Sequence, residues 1–195
     1  MKTATKERLK RRNNFIFEWA DCLFRKLITY FVESDIMNIK IIPCEKTHIE
    51  DAIELAYLSW QPIYDCYRET LGEKMFDILH KDWKEQKRQR IYNGLTSGRG
   101  YVALADGQLA GFIFYVIDDA KMVGTVEENA VNPKFRGLGI AQKMYDFVFD
   151  KMRQEGMVCA MVSTGLDEAH APARRAYEKA GFDRSLGSVR YYREL

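Results

Sequence analysis

A short segment in the C-terminal half of the chain has the composition of an anion-binding turn. An apolar run ends at Val131-Asn132-Pro133, and Arg136-Gly137-Leu138-Gly139-Ile140-Ala141 then leads into a helical pattern. A glycine turn that opens a helix points unpaired backbone N–H groups and the positive end of the helix dipole at one place. Such a turn can hold a pyrophosphate without a lysine or a metal ion. The alternative is an ordinary strand-to-helix turn that contains two glycines.

The turn differs from the two common nucleotide-binding signatures. It lacks the G-x-x-x-x-G-K-[ST] pattern of nucleoside-triphosphate-binding loops. It also lacks the G-x-G-x-x-G pattern of dinucleotide-binding folds. Neither of these ligand classes is therefore expected.

Two neighbouring carboxylates, Glu127 and Glu128, precede the turn on a predicted strand. A carboxylate placed here could act as a general base. Because side chains alternate along a strand, the two are expected to point to opposite faces of the sheet. Either one could be the base, both could be solvated charges, or deprotonation could proceed through water.

Aromatic residues earlier in the chain could hold a positively charged group, because a cation is attracted to the face of an aromatic ring. The candidates are Trp60, Tyr64, Tyr67 and Trp83. The possible counter-charges nearby are Asp65, Glu69 and Asp82. Aromatic residues near helix ends also serve as core, and that alternative stays open.

Hydrophobic periodicity predicts the elements that position these residues. The predicted order is a strand at 38–43, helices from 49 and from 72, strands at 101–105, 109–117 and 124–131, a helix from 140, a strand at 157–163, a helix at 169–180 and a last strand at 189–194. Asp106-Gly107 is a hairpin-turn signal. This order indicates an α/β domain with mixed strand directions.

Residues 1–36 are predicted to form a basic, amphipathic helical extension. Residues 1–12 carry six basic side chains and one acidic one. Apolar residues recur at helical spacing from Ile16 to Phe31, but charged residues interrupt the run, so neither a signal peptide nor a membrane span fits. Attachment to a membrane surface, disorder and a non-native origin are the alternatives. The domain proper is predicted to cover residues 37–195.

The composition excludes several classes of protein. Hydrophobic residues make up 47% and charged residues 30% of the chain, which favours a packed core and excludes a membrane-embedded body. Since the net charge is +2 and the first residues are strongly basic, the remainder is slightly acidic, which argues against a nucleic-acid partner. The four cysteines form no C-x-x-C pair and the three histidines are scattered, so reduced thiols, a cytoplasmic location and no metal site are expected.

Two motifs are similar to those of the GNAT superfamily of acyl-CoA-dependent N-acetyltransferases. The segment from Arg136 to Ala141 fits [QR]-x-x-G-x-[GA], and a strand with Val-x-Pro precedes it. Family members often read N-x-x-A-x-x-x-Y-x-K-x-G-F further along. The segment beginning at His170, which replaces the asparagine, agrees at Ala173, Tyr177, Lys179, Gly181 and Phe182. The resemblance covers about residues 38–195.

The resemblance implies a fold and a cosubstrate. The implied fold is α/β, with a mixed, mostly antiparallel central sheet flanked by helices and splayed at the strand before the phosphate turn. The implied cosubstrate is acetyl-CoA, with its pantetheine arm along Asn129, Ala130 and Val131. The other cofactor-contacting positions implied are Arg136, Gly137, Leu138, Gly139, Ile140, Ala141, Gln142 and His170.

The resemblance also implies a reaction, the transfer of an acetyl group to a primary amine of a small molecule or peptide by direct attack. Tyr177 matches the tyrosine that protonates the departing thiolate in many members, and a phenol with a pKa of about 10 keeps its proton at neutral pH. Glu127 has the spacing of a carboxylate found in several members. The region that forms the acceptor side in the family contains Trp60, Tyr64, Tyr67 and Trp83. A non-catalytic acyl-CoA-binding module and a protein N-terminal acetyltransferase are the alternatives. A homodimer is compatible with these features, and no membrane span is expected.

Overall fold

The computed structural model of the protein describes residues 37–195. The helices are α1 (Ile49–His80), α2 (Trp83–Thr96), α3 (Ile140–Gln154) and α4 (Ala171–Lys179). The strands are β1 (Ile39–Pro43), β2 (Gly100–Ala105), β3 (Gln108–Asp118), β4 (Val123–Val131) and β5 (Cys159–Val162). The helical extension predicted at residues 1–36 lies outside the described residues.

These strands form one five-stranded sheet in the order β1-β2-β3-β4-β5. Neighbours from β1 to β4 are antiparallel, and β5 runs parallel to β4. Asp106 and Gly107 have φ values of 48° and 80°, and they make the two-residue turn between β2 and β3. The predicted hairpin turn and the mixed, mostly antiparallel sheet are therefore confirmed.

Helices cover both faces of the sheet. On one face, α1 and α2 pack against β3 in a cluster that includes Ile53, Ile91 and Phe114. On the other face, α3 approaches so closely that a Cβ added at Gly124 would lie 2.5 Å from Sδ of Met152. A glycine in β4 therefore permits the contact with α3.

Gly72 interrupts α1 with a φ of 75° and a ψ of 160°. This is the position where the sequence predicts a new helical run. This run ends at His80, and Trp83 is the first residue of a separate helix, α2.

The strands β4 and β5 separate part-way along β4. β5 pairs only with Val123–Val126, so residues 127–131 have no strand partner on that side within residues 37–195. Residues 128–131 stay paired with β3 on the other side. The free edge of β4 leaves backbone N–H and C=O groups available to a ligand, and the splay expected from the resemblance is confirmed.

The predicted last strand, Val189–Glu194, is absent from the described structure, and that prediction is wrong. Residues 182–195 have no regular secondary structure. Leu186, Val189 and Tyr191 are largely exposed. A strand requires a neighbour for its backbone hydrogen bonds, and no described strand pairs with this segment.

Candidate active site

The predicted phosphate turn lies between the end of β4 and the start of α3. Gly137 and Gly139 have φ values of 82° and 73°, a backbone region that residues with a Cβ rarely adopt. Among the described residues, no backbone carbonyl outside the helices and strands accepts a hydrogen bond from the amides of residues 137–142. Successive unpaired N–H groups at a helix N-terminus are suited to a pyrophosphate.

The side chains of this turn play different parts. Arg136 and Leu138 are exposed, whereas Ile140 is buried and fixes the first turn of α3 in the core. Gln142 donates to Asp146 one turn further along α3, at 2.9 Å. The turn therefore offers mainly its backbone to a ligand, with the Arg136 guanidinium at its rim.

Tyr177 of α4 lies beside the free edge of β4. Its ring centroid is 5.9 Å from that of Tyr145 on α3, and the Tyr145 hydroxyl donates to Asn129 of β4 at 2.8 Å. Burial raises the pKa of the Tyr177 hydroxyl and the negative charge of Glu128 adds to this, while contacts with Asn129 and Tyr145 oppose it. The phenol therefore keeps its proton at neutral pH and can donate it next to β4.

Glu127 and Glu128 face the same helix, so the expectation that they point to opposite faces is wrong. Phe114 of β3 opposes Glu128 and the next residue, Tyr115, opposes Val126, which leaves Glu127 as an extra residue in β4. Such a bulge breaks the alternation of side chains along a strand. As a result, Arg90 of α2 contacts the carboxylates of both glutamates.

Glu128 is the centre of a buried charge cluster. Lys87 of α2 donates from Nζ to its two carboxylate oxygens at 2.8 and 3.0 Å, and Arg90 Nε lies 2.7 Å from Oε1. The side chains of Lys87 and Glu128 are each only 7% exposed, against 29% for Glu127. Burial lowers the pKa of Lys87, while the charge of Glu128 and its hydrogen bond oppose the shift.

Sequence reasoning missed Lys87 and Arg90. They lie in the polar part of α2, which resembles an ordinary solvated helix face. The available signal is their i, i+3 spacing, which puts two cations on one face of a helix. Both line an open pocket of about 940 Å³ between α2 and β4, together with Tyr64, Glu127 and Glu128.

The four predicted acceptor aromatics divide into two groups. Tyr64 stacks on the buried Trp83 at 4.2 Å and meets Tyr67 edge-on at 5.7 Å. Trp60 lies apart from these rings and carries Lys87 Nζ 4.1 Å above its face. His80, which the sequence did not single out, packs against Tyr64 and Tyr67 at 5.7 and 5.4 Å.

The carboxylates expected as counter-charges to an amine lie on the surface. Asp65, Glu69 and Asp82 are all exposed. Asp65 accepts a hydrogen bond from Gln61 at 2.8 Å. Glu128, by contrast, is buried and lies against a cation that also contacts an aromatic ring, since it binds Lys87.

His170 contacts the acceptor aromatics. Its Nδ1 lies 2.7 Å from Asp167, and its ring is 6.2 Å from that of Tyr67. Burial raises the pKa of Asp167, but the hydrogen bond and charge of His170 outweigh this and the net shift is downward. These contacts join the loop before α4 to α1. None of them involves the phosphate turn.

The family model of the acetyltransferase (GNAT) family matches residues 60–182, which include the pocket, β4, the phosphate turn and Tyr177. The chain belongs to this family. It is an N-acetyltransferase of the GNAT type, with acetyl-CoA as its cosubstrate. No curated protein sequence matches the chain.

Solved structures agree with the GNAT fold. The aminoglycoside N-acetyltransferase AAC(6')-Iy in complex with CoA is similar at 18% identity and a TM-score of 0.57, over 82% of this chain and 97% of that one. The same protein with the bisubstrate analogue CoA-S-monomethyl-acetylneamine aligns at 19% identity and a TM-score of 0.58, over 81% and 99%. The PaiA N-acetyltransferase from Thermoplasma acidophilum in complex with coenzyme A is similar at 20% identity and a TM-score of 0.58, over 75% of this chain and 91% of that one.

Within residues 37–195, no group of three or more His, Cys, Asp or Glu side chains gathers to hold a metal ion. No helix of the same residues is long and apolar enough to cross a membrane.

Proposed function

We propose that this GNAT enzyme transfers the acetyl group of acetyl-CoA to a primary amine of a small molecule or peptide by direct attack. The observation that carries the proposal is the meeting of three features at the end of β4. These are the free strand edge at residues 127–131, the unpaired amides of residues 137–142 and the protonated hydroxyl of Tyr177. We further propose that residues 37–195 make up the whole catalytic domain.

The cosubstrate would lie along the free edge of β4. The backbone of Asn129–Val131 would pair with the amide groups of the pantetheine arm as a neighbouring strand does. The amides of Gly137–Gln142 would hold the pyrophosphate. Backbone N–H groups of β4 near the thioester carbonyl would stabilise the negative charge that develops on its oxygen.

Tyr177 would be the general acid. When the amine attacks, the C–S bond breaks and the thiolate of CoA requires a proton. Burial favours the neutral phenol of Tyr177, so this proton is held ready at neutral pH.

Glu127 is the stronger candidate for the base. Both oxygens of Glu128 are engaged by Lys87, and Arg90 binds one of them as well. Glu127 contacts Arg90 through Oε2 alone, and Oε1 makes no hydrogen bond to the described residues. Glu127 is also the more exposed of the two, so its free oxygen can accept a proton from an amine that enters the pocket.

The acceptor pocket favours an amine over a nucleic acid or a lipid. It combines the ring of Tyr64 with the carboxylates of Glu127, Glu128 and Glu85. Aromatic faces and carboxylates attract an ammonium, whereas phosphate backbones are bound by unpaired cations. The cations of the pocket, Lys87 and Arg90, are already paired with Glu127 and Glu128.

The test is release of the CoA thiol from acetyl-CoA over a panel of amines. The panel contains polyamines, aminoglycosides (since one structural neighbour was solved with an acetylneamine analogue), amino acids and short peptides with free N-termini. Turnover of small amines is the expected result. Turnover of peptide N-termini alone would favour the N-terminal acetyltransferase alternative. Acetyl-CoA binding with no release over the whole panel would contradict the proposed reaction.

A further inference from the structure

The pocket contains a primary amine of its own. Lys87 Nζ lies 2.8 Å from one oxygen of Glu128 and 3.0 Å from the other, and 4.1 Å above the ring of Trp60. A carboxylate and an aromatic face are the two groups that the pocket needs to hold the ammonium of an acceptor. The side chain of Lys87 therefore has the environment expected for a bound substrate.

This amine lies beside the strand that would carry the thioester. Glu128 directly precedes Asn129–Val131, the segment to which the proposed function assigns the pantetheine arm. At about 3.3 Å per residue along a strand, the backbone of Glu128, which holds Lys87, is about 7 Å from the middle of that segment. The negative charge of Glu128 also acts on Tyr177, so the proposed acid lies within electrostatic range of the same carboxylate.

Lys87 is better prepared for attack than an exposed lysine. Burial lowers its pKa, in spite of the opposing effect of Glu128. Its long side chain opens onto the pocket between α2 and β4. If the Lys87 side chain rotates about its own bonds, Nζ can leave the ring of Trp60 and move nearer to β4.

We infer that Lys87 is itself an acetyl acceptor, modified once by the bound acetyl-CoA when no external amine occupies the pocket. The inference rests on the proposed function. The ammonium passes one proton to Glu128 and from there to solvent, and the neutral Nζ attacks the thioester carbonyl. The C–N bond forms and the C–S bond breaks. The thiolate takes its proton from Tyr177, and the second proton of Nζ leaves the adduct and restores the Tyr177 phenol. The products are Nε-acetyl-Lys87, CoA and the one proton released to solvent.

The charge cluster tolerates the loss of the Lys87 charge. Arg90 Nε lies 2.7 Å from the same Glu128 oxygen that accepts from Lys87. Glu128 therefore keeps a cationic partner after acetylation, which avoids the cost of an unpaired buried carboxylate. The acetylated side chain can still donate one amide hydrogen to Glu128.

Lys84, on the same helix, is a matched control. Its Nζ lies 5.7 and 5.6 Å from the rings of Tyr57 and Trp83. Unlike Lys87 it is exposed and forms no ion pair with a carboxylate of the described residues. If burial against Glu128 determines the modification, Lys84 is not modified at a comparable rate.

The experiment incubates the full chain with acetyl-CoA at neutral pH and without an acceptor, and follows the intact mass and the peptide map over time. We expect a mass increase of one acetyl group, located on Lys87, which is suppressed when a good acceptor amine is added. Lys84→Arg should still be modified. Lys87→Arg, which keeps the charge, should lose the modification. The peptide map of the unmutated protein decides the question even if Lys87→Arg folds poorly.

Two results would overturn the inference. One is equal acetylation of Lys87 and the exposed lysines, or the same pattern in urea-denatured protein, because both indicate chemical acetylation in solution. The other is an unmodified Lys87 in a preparation that acetylates external amines, which would leave the proposed function intact. Absence of both acetyl-CoA binding and amine turnover would instead overturn the proposed function, and this inference with it.

Discussion

Glu127 and Glu128 are adjacent on β4, and Arg90 of α2 contacts both of their carboxylates. A regular strand would separate them onto opposite faces of the sheet. The bulge opposite Phe114 brings them to one side and gives the pocket two carboxylates with different partners. Glu128 is buried and bound by two cations, and Glu127 is more exposed with one.

Substitution of Gly139 by tryptophan should abolish measurable binding of acetyl-CoA. A Cβ added at this position meets no protein atom within 4 Å, and we expect the large ring beyond it to block the approach of the pyrophosphate to the turn. Micromolar binding corresponds to about 8 kcal/mol, and isothermal calorimetry would detect its loss. Gly107→Trp is the matched control, since Gly107 also has a positive φ and open space but lies in the β2–β3 turn. Equal affinity in a folded Gly139 variant would contradict the assignment of the turn.

Tyr177→Phe should lower turnover by about 10²–10⁴-fold while leaving the affinity for acetyl-CoA nearly unchanged. The ring and its packing against Tyr145 and Phe182 are kept, and only the proton donor is lost. Because burial raises the pKa of Tyr177, the unmutated enzyme should retain the acid function as pH rises and lose it only above about pH 10. Tyr115→Phe is the matched control. It removes the hydroxyl of a buried tyrosine that donates to Glu155, and it should not reduce turnover. Near-normal rates in Tyr177→Phe would show that the ring serves packing alone.

Glu127→Gln should lower the rate most at neutral pH and least at high pH. At neutral pH the acceptor amine is protonated and requires a base, whereas at high pH it attacks unassisted. The measurement is a pH–rate profile of both proteins with an amine that the panel identifies. Profiles that overlay would make Glu127 a surface carboxylate, and deprotonation would then proceed through water or another group.

Glu128→Gln should destabilise the fold, whatever it does to the rate. It leaves the buried ammonium of Lys87 beside Arg90 without a carboxylate, and breaking a buried ion pair costs about 3–5 kcal/mol. Denaturant unfolding measures the change, with Glu127→Gln, at the less buried of the two glutamates, as the control at about 1 kcal/mol or less. The double variant Lys87→Met, Glu128→Leu should recover much of the loss, because an apolar pair can replace a buried ion pair. A Glu128→Gln protein as stable as the control would show that water reaches the cluster.

A protein that begins at Met37 should fold and acetylate amines at the normal rate. The turn, β4, the pocket and Tyr177 all lie within residues 37–195. Circular dichroism and the thiol-release assay measure the two properties. Loss of cooperative unfolding on truncation would indicate that residues 1–36 complete the core.

The sequence by itself determined the features that depend on consecutive residues. The phosphate turn is one, because Gly137 and Gly139 permit positive φ values and the helix follows at once. The hairpin at Asp106-Gly107 is another. The motif around Tyr177 identified the family for the same reason, since its spacing along α4 is local.

Only the tertiary structure decided which distant groups meet. Alternation predicted opposite faces for Glu127 and Glu128, but the bulge depends on how β3 pairs with β4. The pairing of Lys87 with Glu128 joins residues 41 positions apart, and no pattern within α2 specifies that contact. The alternating segment Val189–Glu194 could form a strand, yet a strand also needs a partner edge, and the described sheet supplies none to it. Neighbouring residues determine the local backbone conformation, whereas strand pairing and side-chain burial depend on packing across the whole domain.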